Sequence, residues 1–415
     1  MKNLVGVCLF GLSGGPTSVI NATALGIINE SMKHDFITDV YACCCGVDGI
    51  LNEDFFDISK EDPKELEKLM YTPAAIFGSV RHKLKDYHED NTEYKRILKV
   101  FKKYNIRYFF YIGGNDSMDT CNKISKFFND NDYECRIIGV PITIDYDLAE
   151  TDHSPGFASA AKYVATSVCE VKRDLMVYHK KNVVIFEIMG RNTGWLTAST
   201  CLASLTGYGP DLVYVPEKPI SIEGFCDDVQ RQLENKDIVV IAVSEGIKEE
   251  NGHYLVENHN QDMIDHFGHV QLGGVGDILA RAINSSIDAK VRVIEFSLLQ
   301  RCASHCSSFV DAKEAYDVGR FAVLKAIEGH NDKMVIITRQ ANEPYQSSYA
   351  LTEIGLLANF EKKLPLSWIK EDNTGMTDEF IRYALPLISG ENHVDYYNGL
   401  PDYAKLRLIK VQKRL

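Results

Sequence analysis

Three short segments carry residue types that can handle a phosphate. Ser13-Gly14-Gly15-Pro16-Thr17-Ser18-Val19-Ile20-Asn21 follows an apolar run, and its glycines would let backbone N–H groups approach an anion at a helix N-terminus. It lacks the lysine of a P-loop, so alone it reads equally well as a tight strand-to-helix turn. Gly113-Gly114-Asn115-Asp116-Ser117 is a second glycine pair leading into a helix, with an acidic residue that could hold a metal–phosphate complex. In Pro141-Ile142-Thr143-Ile144-Asp145-Tyr146-Asp147, the two carboxylates are two residues apart and point the same way if the segment is extended. One suits a proton and the other a cation. Each segment is a weak signal by itself. Arriving together at successive strand ends, they predict a phosphoryl-transfer site.

The elements that must position these segments alternate along the chain. Strands are predicted at Leu4–Phe10, Tyr108–Ile112, Ile137–Val140, Val183–Ile188, Leu212–Val215, Ile238–Ser244, Val291–Phe296 and Met334–Ile337, nearly all apolar throughout. Helices are predicted between them at Thr17–Lys33, Pro63–Met70, Thr92–Lys103, Ser117–Asn129, Ser159–Asp174, Ile222–Asn235, Gly276–Ser286 and Ala312–His330. This alternation is the signature of βα units around a mostly parallel sheet, hence an α/β fold. Lys248–Asn260 reads as a hairpin or surface loop rather than a linker. With no linker in evidence, the chain should cross more than once between two interleaved lobes.

A length of 415 residues agrees with two lobes, and 45% apolar with 25% charged residues is the balance of a globular chain. The net charge of −13 opposes binding to nucleic acid or anionic membranes. Arginines would have to be gathered where an anionic substrate binds. Eleven cysteines, including Cys43, Cys44 and Cys45, form no CxxC pair or His-spaced zinc set. Cys302 and Cys306 would face together on a helix but read as packing residues. Reduced thiols and a cytoplasmic location fit best. No apolar run reaches the roughly 18 residues of a membrane span, and the apolar start reads as a buried first strand rather than a signal peptide.

The ordered set of motifs resembles the phosphofructokinase family. It comprises the SGGPTSVIN turn, Gly78-Ser79-Val80-Arg81, GGNDS at 113–117, TID at 143–145, Met189-Gly190-Arg191, Ser244-Glu245-Gly246 and Gln300-Arg301. The ending Asn398-Gly399-Leu400-Pro401 is similar to the longer, pyrophosphate-using branch. The resemblance implies two interleaved Rossmann-like lobes with mostly parallel sheets. Residues 1–155 with about 300–355 would form the donor lobe, and 156–299 with about 356–415 the sugar-phosphate lobe.

Carried over residue by residue, the resemblance makes Asp145 the base that takes the proton from the sugar 1-hydroxyl, with Thr143 beside the transferred group. Met189, Gly190 and Arg191 match the sugar-phosphate pocket, Glu245 the contact to the sugar hydroxyls, and Arg301 a ligand of the 6-phosphate. Arg292 matches an arginine that reaches the site from a neighbouring subunit, which implies a homodimer or homotetramer. Gly14, Gly15, Arg81, Gly114, Asn115, Asp116 and Ser117 fall on the donor side. Arg191 and Asp116 join Thr143 and Asp145 in the catalytic set. Mg2+ is the implied cofactor, at Asn115, Asp116 and Asp147.

Within the family, the residue after Gly-Gly-Asp separates the donors: glycine leaves room for the α-phosphate of ATP, whereas aspartate favours pyrophosphate. Here it is Asp116. Two unit charges about 4 Å apart at an effective dielectric near 20 repel by roughly 4 kcal/mol. Three departures bear on that site. Ile142 stands where pyrophosphate enzymes usually carry lysine, removing a bond worth about 1.5–3 kcal/mol. Asn115 replaces an aspartate on the magnesium side, and Tyr146, in place of asparagine, either narrows the donor pocket or faces outward. Asn182 and Leu298 fall where bacterial ATP enzymes carry a partner-subunit arginine and a sugar-contacting histidine, so Leu298 marks a changed substrate position. No ATP-type allosteric site is expected.

The leading expectation is Mg2+-dependent transfer from pyrophosphate to fructose 6-phosphate. The alternatives are an ATP-dependent kinase of this family or the NAD-kinase group, and a sugar-phosphate-binding homologue with a decayed donor site. The Met189-Gly190-Arg191 and Gln300-Arg301 motifs favour a sugar phosphate over NAD.

Overall fold

A computed structural model describes residues 4–257, 273–356 and 361–415. Among these, the strands in the first part of the chain are β1 (Gly6–Leu12), β2 (Ile37–Cys43), β3 (Phe55–Asp57), β4 (Ile106–Gly113), β5 (Arg136–Pro141), β6 (Asn182–Ile188) and β7 (Leu212–Tyr214). There follow β8 (Ile238–Ser244), β9 (Lys290–Glu295), β10 (Lys333–Asn342), β11 (Tyr345–Glu353), β12 (Tyr396–Tyr397) and β13 (Leu400–Pro401). The apolar runs become strands because both of their faces are covered. Cys8, Phe10 and Leu12 of β1 pack with the helices Ile20–Ser31 and Phe309–Ile327. Val7 and Leu9 point the other way, into Thr92–Tyr104 and Asn115–Asp130.

The first sheet has seven strands in the order β11-β10-β5-β4-β1-β2-β3, parallel at its centre and antiparallel at both edges. The second has four parallel strands in the order β7-β8-β6-β9. Val184, Phe186 and Ile188 of β6 face the helix Phe157–Leu175, while Val183 and Ile185 face Ile222–Leu233 and Val275–Ser286. Each sheet reverses its strand order once. From β1 the chain builds outward through β2 on one side, and from β4 through β5 on the other; in the second sheet, β8 and β9 flank β6 on opposite sides. Open α/β sheets bind ligands outside the carboxyl ends of strands at such points, here β1/β4 and β6/β9.

The first strand lies two residues later than the expected Leu4–Phe10, because Leu12 still pairs with Ile112 of β4. The helix expected from Thr17 begins at Ile20, and the one at Pro63 gives way to a 3-10 turn at Lys68. The short strand expected at Met334–Ile337 runs to Asn342 and turns back as β11, a hairpin the apolar pattern does not reveal. β2 and β3 were not expected either. Lys248 and Tyr254 form an antiparallel bridge in the expected hairpin, while residues 258–260 of that segment lie outside the described residues. Cys302 and Cys306 do not share one helix, since Leu299–Cys302 ends before the 3-10 turn Ser304–Cys306; the first thiol donates to Leu299 O and the second to Thr166 Oγ1. Among the described residues, no helix is long and apolar enough to cross a membrane.

The chain returns to the first sheet after completing the second. Phe380 and Ala384 then pack on the second sheet's core, but the last segment goes back once more. Ala404, Leu406 and Leu408 lie against the first sheet's core, and Asp57 N–H donates to Ile409 O over 2.9 Å. The expected division placed everything after about 356 with the second lobe. The tail departs from it because β3 and its neighbours leave an apolar surface that these residues cover.

Candidate active site

At the carboxyl end of β1 the backbone is pinned beside the Gly78–Arg81 turn. Gly14 N–H donates to Val80 O over 3.1 Å, and Ser79 Oγ donates to Gly14 O over 2.7 Å. Gly14 adopts a φ of +78°, and a Cβ there would meet nothing within 4 Å, so the turn faces open space. His82, the next residue after Arg81, is held on both ring nitrogens, by Asp48 at 2.7 Å and Glu93 at 3.0 Å. That bridge ties the Arg81 turn to two separate helices. Across the switch point, Gly113 ends β4 where a Cβ would overlap Ser117, and the helix from Asn115 starts at once. Asp116 is exposed in its first turn, where the helix dipole favours a carboxylate.

β5 delivers the acidic segment. Ile142 is 2% exposed and packs in the first sheet's core, its N–H donating to Gly113 O over 3.0 Å. Thr143 bridges to Gly156 and accepts the Asp145 N–H on its Oγ1 at 3.0 Å. Tyr146 neither narrows the cleft nor faces outward. It is 1% exposed, with its ring 4.5 Å from Phe157 and 4.4 Å from Trp195. Its φ of +61° puts a bulky residue in the left-handed region, which the surrounding packing must hold. Asp147 accepts from Asn115 Nδ2 at 3.1 Å, while Asn115 Oδ1 is buried and unpartnered.

The second sheet brings its motifs to the same opening. Ser244 Oγ donates to Gly190 O over 2.6 Å, and Gly190 N–H donates to Glu245 Oε1 over 3.4 Å. A Cβ on Gly246 would overlap the Arg191 carbonyl, so the Ser244-Glu245-Gly246 turn can lie under Met189-Gly190-Arg191 only because residue 246 is glycine. Gln300 Oε1 accepts from Met189 N–H at 3.2 Å, joining the Gln300-Arg301 turn to that loop. Thr193 Oγ1 donates to Asp145 O over 2.8 Å and links the two sheets. Arg301 extends back to the donor side, its Nη1 lying 3.3 Å from the position of a Cβ on Gly15.

Charge converges on Asp145. Crowding by protein pushes its carboxyl upward, and the charges of Arg81, Arg191 and Arg301 pull it down without cancelling the rise. The residue still reaches solvent through the open cleft, which caps that rise. Burial, the Asp145 charge and Glu361 push Asp147 up to about 7, opposed by the Asn115 amide. Burial lifts Glu245 to about 7 as well, with Asp145 and Glu187 adding to the effect and the Gly190 N–H and Arg191 opposing it. Burial and the neighbouring Arg81 lower Arg301.

Asp145, Thr143, Arg81, Arg191, Arg301, Glu245, Asn115 and Asp147 are thus linked around one opening by hydrogen bonds or by charge, with Gly15 beside Arg301. Arg292 is not among them. It pairs with Val184, four residues before the end of β6, on an edge strand, and it lines a separate cavity of about 660 Å³ with residues 177–182 and 288–290. Asn182 is buried, and its amide donates to Lys180 O over 2.6 Å. Leu298 is 55% exposed after β9, and its side chain offers only apolar contact.

Two features had no signal in the sequence. One is the His82 bridge. The other is residues 361–364, which run alongside the acidic segment: Leu148 bridges to Glu361, and Lys362 N–H donates to Asp147 O over 3.0 Å. No residue type or spacing near 361 announces a site.

Two doubly wound sheets, with glycine turns and an acidic strand end facing clustered arginines, define a phosphoryl-transfer class of α/β protein. The family model for phosphofructokinase matches residues 8–315, and the chain belongs to that family. A pyrophosphate–fructose 6-phosphate 1-phosphotransferase of Halomonas elongata is 42% identical, over 98% of this chain and 97% of the relative. The crystal structure of a pyrophosphate-dependent phosphofructokinase from Nitrosospira multiformis superposes with a TM-score of 0.89 at 36% identity, covering 99% of this chain and 98% of that one. A sulfofructose kinase of Alkalicoccus urumqiensis is 30% identical over 87% of this chain and 91% of its own length.

Proposed function

We propose that this chain transfers a phosphoryl group from pyrophosphate to the 1-hydroxyl of fructose 6-phosphate, giving fructose 1,6-bisphosphate and orthophosphate in a reaction close to reversible. The observation that carries the reading is the meeting of Asp145 with Arg81, Arg191 and Arg301 between two sheet switch points. Full-length similarity to relatives named for this reaction supports it.

In this reading Asp145 takes the proton of the sugar O1 as that oxygen attacks the donor phosphorus. The O1–P bond forms, the bridging P–O bond of pyrophosphate breaks, and orthophosphate leaves. An upward-shifted carboxyl suits the task, because a base works best with a pKa nearer the operating pH. Arg81 neutralises the transferred group from the Gly15 side, and Arg301, matched to the sugar 6-phosphate, also extends its guanidinium to Gly15 and adds its charge there. With Ile142 turned into the core, no cation comes from that position. Arg191 and Glu245 hold the sugar phosphate, and Met189 and Gly190 shape its pocket.

The residues on the donor side fit Mg2+, a hard cation that takes oxygen ligands. The unpartnered Asn115 Oδ1 and the Asp147 carboxylate beside it would hold the ion, with Asp116 one turn-position away. Bound there, it would supply positive charge to offset that of the donor.

A homodimer or homotetramer accounts for Arg292, whose edge strand and separate cavity suit a role in a partner's site. A cytoplasmic location suits the eleven cysteines, all of them free thiols. The deciding experiment is fructose 1,6-bisphosphate formation by purified protein with Mg2+ and fructose 6-phosphate, run in parallel with pyrophosphate, ATP or no donor. Product with pyrophosphate alone is the expected result. Product mainly with ATP overturns the donor assignment, and no product with either overturns the enzyme.

A further inference from the structure

The segment that carries Asp145 and Asp147 leaves β5 without regular structure, so something must fix it. Residues 361–364 lie along it, beyond the 8–315 span of the family match. The Lys362 ammonium is turned inward, donating to Thr151 O over 2.9 Å and Asp152 O over 2.6 Å. It stacks 4.8 Å from the Tyr146 ring centroid and 5.8 Å from that of Trp195. Three donors converge on the Asp152 carbonyl: Lys362 Nζ, the Tyr146 hydroxyl and the Tyr383 hydroxyl. The same short segment also grips the sugar-side loop. Trp195 Nε1 donates to Lys362 O over 2.8 Å, and Asn192 Nδ2 donates to Glu361 Oε1 over 2.5 Å. Glu217 then accepts from both Gly194 N–H and Leu364 N–H at 3.0 Å.

We propose that residues 361–364 form a strap that holds the Asp145–Asp152 segment in register with the Met189–Trp195 loop, with Lys362 as its positioning residue and Tyr146 as the anvil it presses on. Tyr146 explains why a strap is needed. Its left-handed backbone is what allows the segment to turn between Asp145 and Asp147, and that conformation persists only if the surroundings enforce it. The ring lies between Phe157, Trp195 and the Lys362 ammonium, and its hydroxyl is tied to Asp152. Lys362 does not supply the cation missing at Ile142, since its ammonium is spent on two main-chain carbonyls. It acts on the chemistry only through the placement of Asp145, and misplacing a reacting group by about 1 Å can cost roughly 100-fold in rate.

The proposal rests on Asp145 being the base, and the test separates the two. Lys362→Met removes the ammonium and keeps much of the apolar stem, whereas Lys362→Arg keeps a donor. The measurements are kcat and KM for pyrophosphate on folded protein, with melting temperature recorded alongside. Lys362→Met should lower kcat by roughly 10- to 100-fold with KM for pyrophosphate within about threefold, and Lys362→Arg should recover most of the loss. Tyr146→Phe keeps the ring and removes one of three donors to Asp152 O; it should lower kcat about two- to fivefold, and it serves if Lys362→Met does not fold. Unchanged kcat in folded Lys362→Met overturns the strap, as does unchanged kcat in Tyr146→Phe where Lys362→Met cannot be obtained. A fall in melting temperature with kcat intact makes the contact merely structural. Asp145→Asn is the control: if it stays active the base assignment fails, whatever the Lys362 variants do.

Discussion

The Arg301 guanidinium stands 3.3 Å from the point where a side chain on Gly15 would begin, although the two residues come from turns after β9 and β1. This places a cation, lowered by burial and by Arg81, at the mouth of the anion turn. Arg301→Met should therefore cost roughly 100-fold or more in kcat, the loss typical of removing one charged donor from a developing oxyanion. Gly15→Ala should cost under about tenfold, because the guanidinium can move a few tenths of an ångström. Steady-state kinetics with pyrophosphate as the varied substrate checks both.

The charge of Asp116 sets it against a nucleotide α-phosphate. It is exposed, so solvent weakens its repulsion of a nucleotide α-phosphate below the roughly 4 kcal/mol expected for a shielded pair. Asp116→Gly should raise kcat/KM for ATP relative to pyrophosphate by roughly 10- to 100-fold. A ratio that does not move would exclude this residue as the determinant.

The glycine turns could be read before the fold because the physics that demands them is local. A backbone that must approach Ser117 at Gly113, or Arg191 at Gly246, tolerates no Cβ, and that requirement is visible in the residue type. Tyr146 could not be placed in the same way. Its direction depends on Phe157, Trp195 and Lys362, of which the last lies more than 200 positions away and belongs to no motif. Strands β2, β3 and β11 escaped for a related reason. β2 is interrupted by exposed Thr38 and Asp39, β3 is only three residues long and β11 carries Gln346, Ser347 and Ser348, so the continuous apolar run that marks β1 and β4 is absent.

Glu245 predicts a pH dependence on the sugar side. Pushed up to about 7, it carries charge above that pH and loses it below. A neutral Glu245 no longer offers the sugar hydroxyls a charged acceptor, so KM for fructose 6-phosphate should rise as pH drops from 8 to 6. The substrate's own phosphate titrates in that range, so the informative quantity is the ratio between wild type and Glu245→Gln. That ratio should change with pH and flatten below about 7, where the native side chain already resembles the amide.

His153 sits buried between Asp152 at 2.8 Å and Glu314 at 2.5 Å, which raise it to about 9 against the penalty of burial. A histidine whose folded pKa is raised contributes stability that is complete below its unfolded value of 6.5 and is lost as pH rises through about 9. Asp152 behaves oppositely. Burial pushes it up, but His153 and Arg339 bring it down to about 2, so its contribution is present above 3.8 and fades as pH falls toward 2. The difference in unfolding free energy between wild type and His153→Gln should therefore be largest at pH 4–6.5 and shrink by a few kcal/mol toward pH 9. Taking the difference cancels the carboxylates that do not interact with residue 153, while Asp152 and Glu314, both lowered by His153, set its acid limit.

Arg292 supplies the test of assembly. It lines a separate cavity beside the β9 edge, so a partner copy must bring it to a site if it acts in one. Asp145→Asn and Arg292→Ala should each be nearly inactive alone. Mixed after mild dissociation and reassociation, they should regain activity. A mixed pair has one opening that lacks both groups and one that combines a native Asp145 with a native Arg292 from the other copy. With random pairing, half the dimers are mixed and half their sites are native, so about a quarter of wild-type activity returns. No recovery, in a mixture shown to exchange subunits, would mean that Arg292 serves only its own chain.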